Sequence, residues 1–269
     1  MKLSVVIPAH NEEGSIRQTV ETLYATLSRN KIGHEILVIN DNSKDNTEAI
    51  LKELQTTVPT LVYFSNSGAN GFGNAVRLGL EQFRGDCAAI MMADLSDDPE
   101  DLVRFYHKLL EGYDCVFGSR FIRGGNIIDY PFLKKIINRM ANTLVKVSVG
   151  IRYNDCTNAF KLYRRETIQG LKPFLAHHFN LTLELPLKAI TRGYSYAVLP
   201  NSWTNRKYGV SKLKIKEMGS RYFFILLYCL IERFFSRGDY KKKPGPSNLP
   251  AAEIGSPAQP VLQKTELET

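Results

Sequence analysis

The sequence predicts an α/β domain built on a mostly parallel central sheet, and three observations predict it. Short apolar runs at 3–7, 35–39, 61–64 and 88–92 are bounded by polar turns, as expected of strands buried on both faces of a parallel sheet. Between them lie segments with apolar residues at helical spacing. Residues 12–29 carry Ile16, Val20, Leu23, Tyr24 and Leu27, and 46–55 and 74–83 behave alike. Each run ends in a turn rich in Gly, Asn, Asp or Ser: PAHNEE, NDNSKD, SNSGANGFG and ADLSDDP. Alternating strand and helix is the pattern of an α/β domain, and in open sheets of this kind ligands bind at the carboxyl ends of the strands.

The elements follow in order. After the four runs and their helices, residues 115–118 form a further apolar run, followed by a basic, Gly-rich loop at 119–126 and a helical pattern over 132–149. Residues 195–203 read as a late strand. Residues 213–237 read as a helix, charged in its first turns and apolar over 222–231. That ten-residue run spans about 15 Å as a helix, half of a hydrocarbon core of about 30 Å, so it does not cross a bilayer alone. Arg221, Arg233 and Arg237 flank it and Lys241, Lys242 and Lys243 follow, which suits a helix lying in a membrane interface. Packing against the catalytic core or another subunit is the competing reading. Beyond 241 the chain is rich in Pro, Ser, Ala and Gly with little to bury. The expected organisation is a single catalytic domain over 1–212, an amphipathic helical region over 213–240 and a disordered tail over 241–269.

Composition sets limits on function. Lys and Arg exceed Asp and Glu by 35 to 27, which favours anionic partners. No DNA- or RNA-binding module accompanies that charge, so a nucleic-acid partner is not expected. The four cysteines contain no CxxC pair and suggest neither a zinc site nor a disulfide framework. A reducing compartment fits them. The N-terminus has a single Lys and five apolar residues before Pro8, without the pattern of a signal peptide.

The most informative segment is Met91-Met92-Ala93-Asp94-Leu95-Ser96-Asp97-Asp98-Pro99, where a buried strand ends in a burst of carboxylates ahead of a helix. Magnesium and manganese take hard oxygen ligands and keep open positions for substrate phosphates. Asp94 with Ser96 supplies such ligands. Helix capping competes for these residues; it is the stronger reading for Asp98, next to the helix, and the weaker one for Asp94, at the strand tip. The turn GFGNA, with Gly71, Gly73 and Asn74, precedes a helix whose backbone N–H groups favour phosphate, although a tight loop accounts for it equally. It does not match GxGxxG and follows the third strand, which weighs against a dinucleotide-binding dehydrogenase.

In this order, IPAHNEE, NDNSKDNT, ADLSDDP, FGSRF and DCTNAFKLYRRE resemble the motifs of family 2 glycosyltransferases of the GT-A fold, a Rossmann-like α/β architecture. Within that family the likeness is nearest to dolichyl-phosphate mannose synthases and their polyprenyl-phosphate relatives, and it runs from about residue 3 to 213. The resemblance implies that Pro8, Ala9, Asn11 and Glu12 form the first nucleotide-binding turn, that Asp41 contacts the base, and that Gly71, Gly73, Asn74, Ala93 and Asp94 complete the nucleotide-sugar site. Asn11 also reads as a helix cap. Arg120, Lys134, Arg139 and Arg206 match positions around the donor diphosphate and the acceptor phosphate; Asp94, Arg120 and Arg206 are the implied catalytic set, and Arg120, Lys134 and Arg139 the implied acceptor-phosphate set. The segment with Arg206 and Gly209 resembles one that closes over donor. Glu184 matches a family carboxylate. Two departures stand out: Met92 occupies the first acidic position of the family's DxD motif, and Asn40 replaces the first acid of an Asp-Asp pair.

The implied reaction is an inverting, metal-dependent transfer of mannose or another hexose from a nucleotide sugar to a polyprenyl phosphate such as a dolichyl or undecaprenyl phosphate, with Mg²⁺ or Mn²⁺ as cofactor. GDP-mannose is the favoured donor and UDP-sugars stay open. The enzyme would work as a peripheral protein on the cytoplasmic face of a membrane, and a membrane-protein partner is left open. A phosphate acceptor is already charged at neutral pH and needs no base, whereas a sugar hydroxyl does. The acceptor side offers cations, with Asp97 the nearest candidate base. Transfer to a hydroxyl of a polysaccharide, glycolipid or protein is the alternative, and a non-catalytic nucleotide- or lipid-binding subunit is a second one.

Overall fold

The computed structural model describes residues 1–206, 215–243 and 251–255, with the side chains of 215–218 left aside. Gly209, the start of the helix expected over 213–237 and most of the expected tail lie outside the described residues. The elements are β1 (Leu3–Ala9), α1 (Ile16–Arg29), β2 (His34–Asn40), α2 (Thr47–Thr57), β3 (Leu61–Ser65), α3 (Phe72–Gln82), β4 (Cys87–Ile90) and α4 (Pro99–Leu110) in the first half. The second half adds β5 (Cys115–Ser119), β6 (Asn126–Ile128), α5 (Phe132–Val149), β7 (Lys161–Arg164), α6 (Arg165–Gly170), α7 (Leu181–Thr191), β8 (Tyr196–Pro200), β9 (Ser202–Thr204), α8 (Ile215–Phe235) and β10 (Ala252–Ile254).

The mostly parallel sheet expected from the sequence is present. Eight strands run in the order β10-β8-β5-β7-β4-β1-β2-β3. All pairings are parallel except those of β7, which is antiparallel to both β4 and β5. Buried side chains divide into two layers on the sheet. One gathers Ile16, Val20 and Leu23 of α1, Leu51 of α2 and Leu102 and Phe105 of α4. The other gathers Val76 and Leu80 of α3, Val145 of α5, Leu183 and Leu187 of α7 and Ile225 and Cys229 of α8. Both faces are covered, which is why β1 and β2 read as unbroken apolar runs rather than alternating ones.

Several elements differ from expectation. The strand expected over 88–92 runs Cys87–Ile90, because Met92 N–H turns to the Asp97 carboxylate at 3.0 Å. The late strand expected over 195–203 is broken at Asn201 into β8 in the large sheet and β9, which pairs with β6. In the region expected to be a disordered tail, two short stretches dock on the domain. Lys242 Nζ pairs with Asp114 at 2.7 Å, and β10 adds to the sheet edge beside β8. Glu253 of β10 accepts from Lys108 at 2.8 Å and from Tyr113, charged contacts that composition alone does not reveal.

Candidate active site

The turns after β1, β2 and β4 converge on one cavity of about 760 Å³. Asp41 N–H donates to Ala9 O at 2.7 Å, joining the ends of β1 and β2. The buried Asp41 carboxylate accepts from Asn66 Nδ2 at 2.7 Å and from Gly71 N–H at 2.8 Å, which binds the turn before α3 to the turn after β2. Asn40 does not stand in for a second acid. It is buried, and its Oδ1 accepts Ser43 N–H at 3.1 Å, closing the turn.

The turn after β4 is held in a tight conformation. Leu95 has φ +61°, a region that costs a residue with a Cβ about 1–3 kcal/mol and persists where surrounding structure imposes it. That twist brings Ser96 N–H to Asp94 Oδ1 at 3.1 Å. Thr204 N–H donates to Ser96 O at 3.0 Å, Asp97 bridges to Trp203, and Ser202 N–H donates to Asp101 at 2.6 Å, so β9 lies across this turn. The chain leaving β9 carries Arg206, whose Nη2 lies 2.7 Å from Asp94 Oδ2 and whose Nη1 lies 3.7 Å from Glu12 Oε1. Asp98 is the N-cap of α4, accepting Glu100 N–H at 2.9 Å, with Pro99 in the first helical turn. Asp97 faces the cavity instead. Burial pushes its carboxyl up to about 7, the charges of Asp94 and Asp101 adding to the rise and Met92 N–H and Arg120 opposing it.

A divalent cation fits these residues. Ser96 Oγ is buried and has no hydrogen-bond partner among the described residues, beside a carboxylate that is also buried. Hard oxygens of this kind suit Mg²⁺ or Mn²⁺. No group of three or more His, Cys, Asp or Glu side chains able to hold a metal occurs among the described residues, so further ligands would come from diphosphate and water.

The predicted site residues divide into those the cavity gathers and those it does not. Pro8, Ala9, Glu12, Asp41, Gly71, Asp94, Ser96, Arg120, Lys134 and Arg206 line it. Asn11 lies outside it, tying the first turn to the second through Lys44 N–H at 2.7 Å, and forms no helix cap because α1 begins at Ile16. Ala93 is buried and its carbonyl accepts from Thr19 at 2.9 Å. Arg139 donates to Asn154 O at 3.1 Å and stacks over Phe121 at 4.4 Å. Asn74 bonds Ala69 O at 3.0 Å and His177 Nδ1 at 2.8 Å. Gly73 has a packing reason: a Cβ there would fall 2.5 Å from the His177 carbonyl carbon and 2.6 Å from His178 N, so the 177–178 backbone passes directly over the start of α3. Glu184 holds that passing segment, accepting Leu175 and Ala176 N–H at 2.8 and 2.7 Å and pairing with Lys188, and does not line the cavity.

Arg120 is the most constrained of the cations. Its Nε and Nη2 each lie 2.8 Å from a different oxygen of the fully buried Asp155. Burial alone would lower its pKa, but the Asp155 charge and hydrogen bonds outweigh that and raise it above its ordinary value. Sequence reasoning quoted the DCTNAF motif without assigning Asp155 a role; the signal was a lone acid between two polar loops. Tyr130, Trp203, His178 and Asn205 also line the cavity and carried no motif of their own. Arg221 lines it too, from the charged first turns of α8. Beyond these the wall turns apolar, with Ile137 and Leu144 of α5 and Phe223 and Leu226 of α8.

A mostly parallel α/β sheet with acidic turns at its carboxyl edge, and a second half wrapped over them, is the architecture of the GT-A fold class. The chain belongs to glycosyl transferase family 2, whose family model matches residues 4–171. It is 31% identical over 223 residues to a dolichol-phosphate mannosyltransferase of Pyrococcus furiosus, covering 80% of this chain and spanning 60% of the length of that relative. It is 29% identical over 215 residues to a polyprenol monophosphomannose synthase of Mycolicibacterium smegmatis, covering 78% of this chain and 80% of that one. Among solved structures, glucosyl-3-phosphoglycerate synthase of Mycobacterium tuberculosis in complex with Mn²⁺, UDP and phosphoglyceric acid superposes with a TM-score of 0.63 at 18% identity, covering 86% of this chain and 78% of that one. The same enzyme with Mg²⁺ and UDP superposes at 0.62 with 20% identity, covering 86% and 79%. At that identity the likeness is one of fold.

Proposed function

We propose that this glycosyltransferase moves a hexose, with mannose favoured, from a nucleotide sugar to a polyprenyl phosphate at a membrane surface, with inversion at the anomeric carbon. The observation that carries the reading is one cavity whose lining combines the carboxylates Asp41 and Asp94 with the apolar side chains of Ile137, Leu144, Phe223 and Leu226. A soluble donor and an acceptor with a charged head and an apolar tail need one such space. The matched relatives named for dolichol phosphate and polyprenol support the same acceptor class.

The chemistry follows from the residues. An oxygen of the acceptor phosphate bonds to the anomeric carbon as the bond to the donor's β-phosphate oxygen breaks, and the nucleoside diphosphate leaves with the electron pair. Asp94 and Ser96 would hold the divalent metal, Mg²⁺ or Mn²⁺, which supplies neutralisation of the leaving diphosphate's charge. Arg206 and Lys134 offer positive charge in the same space. Arg120, committed to Asp155, positions its loop and contributes charge at a fixed place. No base is needed for a phosphate already ionised. The donor nucleotide, GDP or UDP, rests on resemblance alone.

Two helix faces support action at a membrane. On α5, Phe132, Leu133, Ile136, Met140, Leu144 and Val147 are exposed, Phe132 at 77%. They recur every three or four residues, so they share one side of the helix. On α8, Ile225, Leu226 and Cys229 are buried against the domain, while Phe223, Phe224, Leu227, Ile231, Phe234 and Phe235 face outward, Phe235 at 78%. The buried face of this helix packs on the domain, and the outward apolar face supports the interfacial reading. Exposed apolar area on this scale marks an interaction surface. Among the described residues no helix is long and apolar enough to cross a membrane. Two of the flanking cations turn to the protein instead of a headgroup: Lys242 pairs with Asp114, and Arg233 donates to Val149 O. Placement on the cytoplasmic face belongs to this proposal, as does any membrane-protein partner.

The test is incubation with Mg²⁺ or Mn²⁺ and a panel of nucleotide sugars, with and without vesicles holding a short polyprenyl phosphate, reading nucleoside diphosphate and glycosylated lipid by mass spectrometry. Lipid-dependent product is expected. Transfer to a hydroxyl without lipid phosphate would replace the acceptor assignment, and neither binding nor turnover would favour a non-catalytic subunit. Asp94→Ala should lower turnover by about a hundredfold or more while the chain still folds cooperatively; near-normal turnover would remove Asp94 from the metal site.

A further inference from the structure

We infer that the Arg206 guanidinium occupies the charge position of the divalent cation at Asp94 when no metal is bound, and that this exchange makes metal and nucleoside diphosphate bind as a unit. The inference rests on the reading of Asp94 as the metal-holding carboxylate. Arg206 Nη2 lies 2.7 Å from Asp94 Oδ2, and its Nη1 is 3.7 Å from Glu12 Oε1, so one guanidinium spans two acids from different turns. The pair is poorly screened by solvent, Arg206 being 17% and Asp94 6% exposed. The other Asp94 oxygen is engaged by Ser96 N–H at 3.1 Å, which leaves Oδ2 as the oxygen for which two cations compete.

Like charges at one carboxylate repel, and in a partly buried site the repulsion is screened far less than in water. A bare Mn²⁺ arriving at Asp94 must therefore displace Arg206 from its ion pair. A diphosphate changes the balance, because its oxygens coordinate the metal and at the same time give the displaced guanidinium a bidentate partner. Metal alone costs the guanidinium its Asp94 partner and diphosphate alone costs Asp94 its guanidinium partner, whereas together they compensate both. The coupling is reciprocal, as any linkage between two binding equilibria must be. The segment that fixes Arg206 here is β9, whose Thr204 N–H is bonded to Ser96 O at 3.0 Å, so the competitor is built into the turn that holds the metal ligands.

The experiment measures free Mn²⁺ by electron paramagnetic resonance in titrations of the full chain, alone and with saturating GDP or UDP, for the natural sequence, Arg206→Ala, Arg206→Lys and Asp94→Asn. In the natural sequence nucleotide should strengthen Mn²⁺ binding by about tenfold or more, equivalent to about 1.4 kcal/mol. Arg206→Ala should bind Mn²⁺ alone about tenfold more tightly than the natural sequence and gain less from nucleotide than the natural sequence does, keeping only the share that comes from direct coordination by the diphosphate. Arg206→Lys, which keeps charge but cannot span both acids, should fall between. Arg206→Ala binding Mn²⁺ alone no more tightly than the natural sequence, while Asp94→Asn loses Mn²⁺, would overturn the exchange and leave the metal site standing. Unchanged Mn²⁺ binding in Asp94→Asn would overturn both.

Discussion

The two halves of the molecule are held together in different ways. From β1 to α4 the site is made of turns that follow strands immediately and are tied to one another by backbone and carboxylate bonds, Asp41 to Gly71 at 2.8 Å and Asp94 to Ser96 at 3.1 Å among them. From β5 onward the chain is held by buried charged side chains: Arg120 paired with Asp155, Arg192 paired with Glu232 at 2.7 Å, and Lys161, fully buried, donating to the backbone carbonyls of Cys156 at 3.0 Å and Thr182 at 3.1 Å. The difference teaches that the first half is specified by unbroken apolar strands and the polar turns that end them, while the second half depends on a few buried charged contacts.

The largest effect should come from breaking such a contact. Asp155→Ala leaves the buried Arg120 guanidinium without its partner, and removing one member of a buried pair costs about 3–5 kcal/mol. A fall of roughly 10 °C in the unfolding midpoint is expected. The double variant Arg120→Met with Asp155→Ala should recover part of it, because no charge is then left uncompensated. If the single variant melts with the natural chain, the acceptor side is not held as described.

A smaller effect separates packing from ligand binding in the donor half. Gly73→Ala places a Cβ within 2.5–2.7 Å of the His177 and His178 backbone, an overpacking that should cost about 1–3 kcal/mol. Were Gly73 a phosphate cradle, the same change would weaken nucleotide binding and leave the thermal midpoint unchanged. Calorimetric titration with GDP and UDP beside a melting curve decides between them.

The same contrast governs what could be read in advance. β1 and β2 are legible as unbroken apolar runs, and the helices that follow them by their helical period, each ended by a polar stop. Helix α5 was read at its observed bounds, Phe132–Val149, for the same reason. Asp94 and Asp41 were legible because each stands at a strand tip. Asp155 was not, since its meaning is a partner 35 residues away. Strand β7 is not legible because it is four residues long and enters the sheet antiparallel between β4 and β5, both of which precede it in the sequence. Nothing local in SNSGANGFG distinguishes a glycine that cradles phosphate from one that makes room for a crossing backbone. Arg206 was matched to the diphosphate by resemblance, but its pairing with Asp94 depends on where β9 crosses the β4 turn.

The smallest expected effect tests how much the charge of Glu35, paired with Lys2, adds to the stability of the first half. Burial pushes the Glu35 carboxyl up, but hydrogen bonds from Ser4 Oγ at 2.6 Å, Arg84 N–H at 2.5 Å and Lys2 Nζ at 3.0 Å outweigh it, and the group lies below its ordinary value. A carboxyl with a depressed folded-state pKa stabilises the fold above its unfolded value of about 4.3, and that stabilisation is lost as pH falls through the folded-state value. Glu35→Gln should therefore be less stable than the natural chain at pH 7, and the gap should close on acidification below about pH 4. Because Lys2 is 46% exposed, solvent screening limits its share of that gap to less than about 1 kcal/mol. Denaturant midpoints measured from pH 7 to pH 3 check this. A gap that stays constant over that range would mean that Glu35 acts through shape and hydrogen bonding alone, and the donor half would then hold its fold without help from charge at this position.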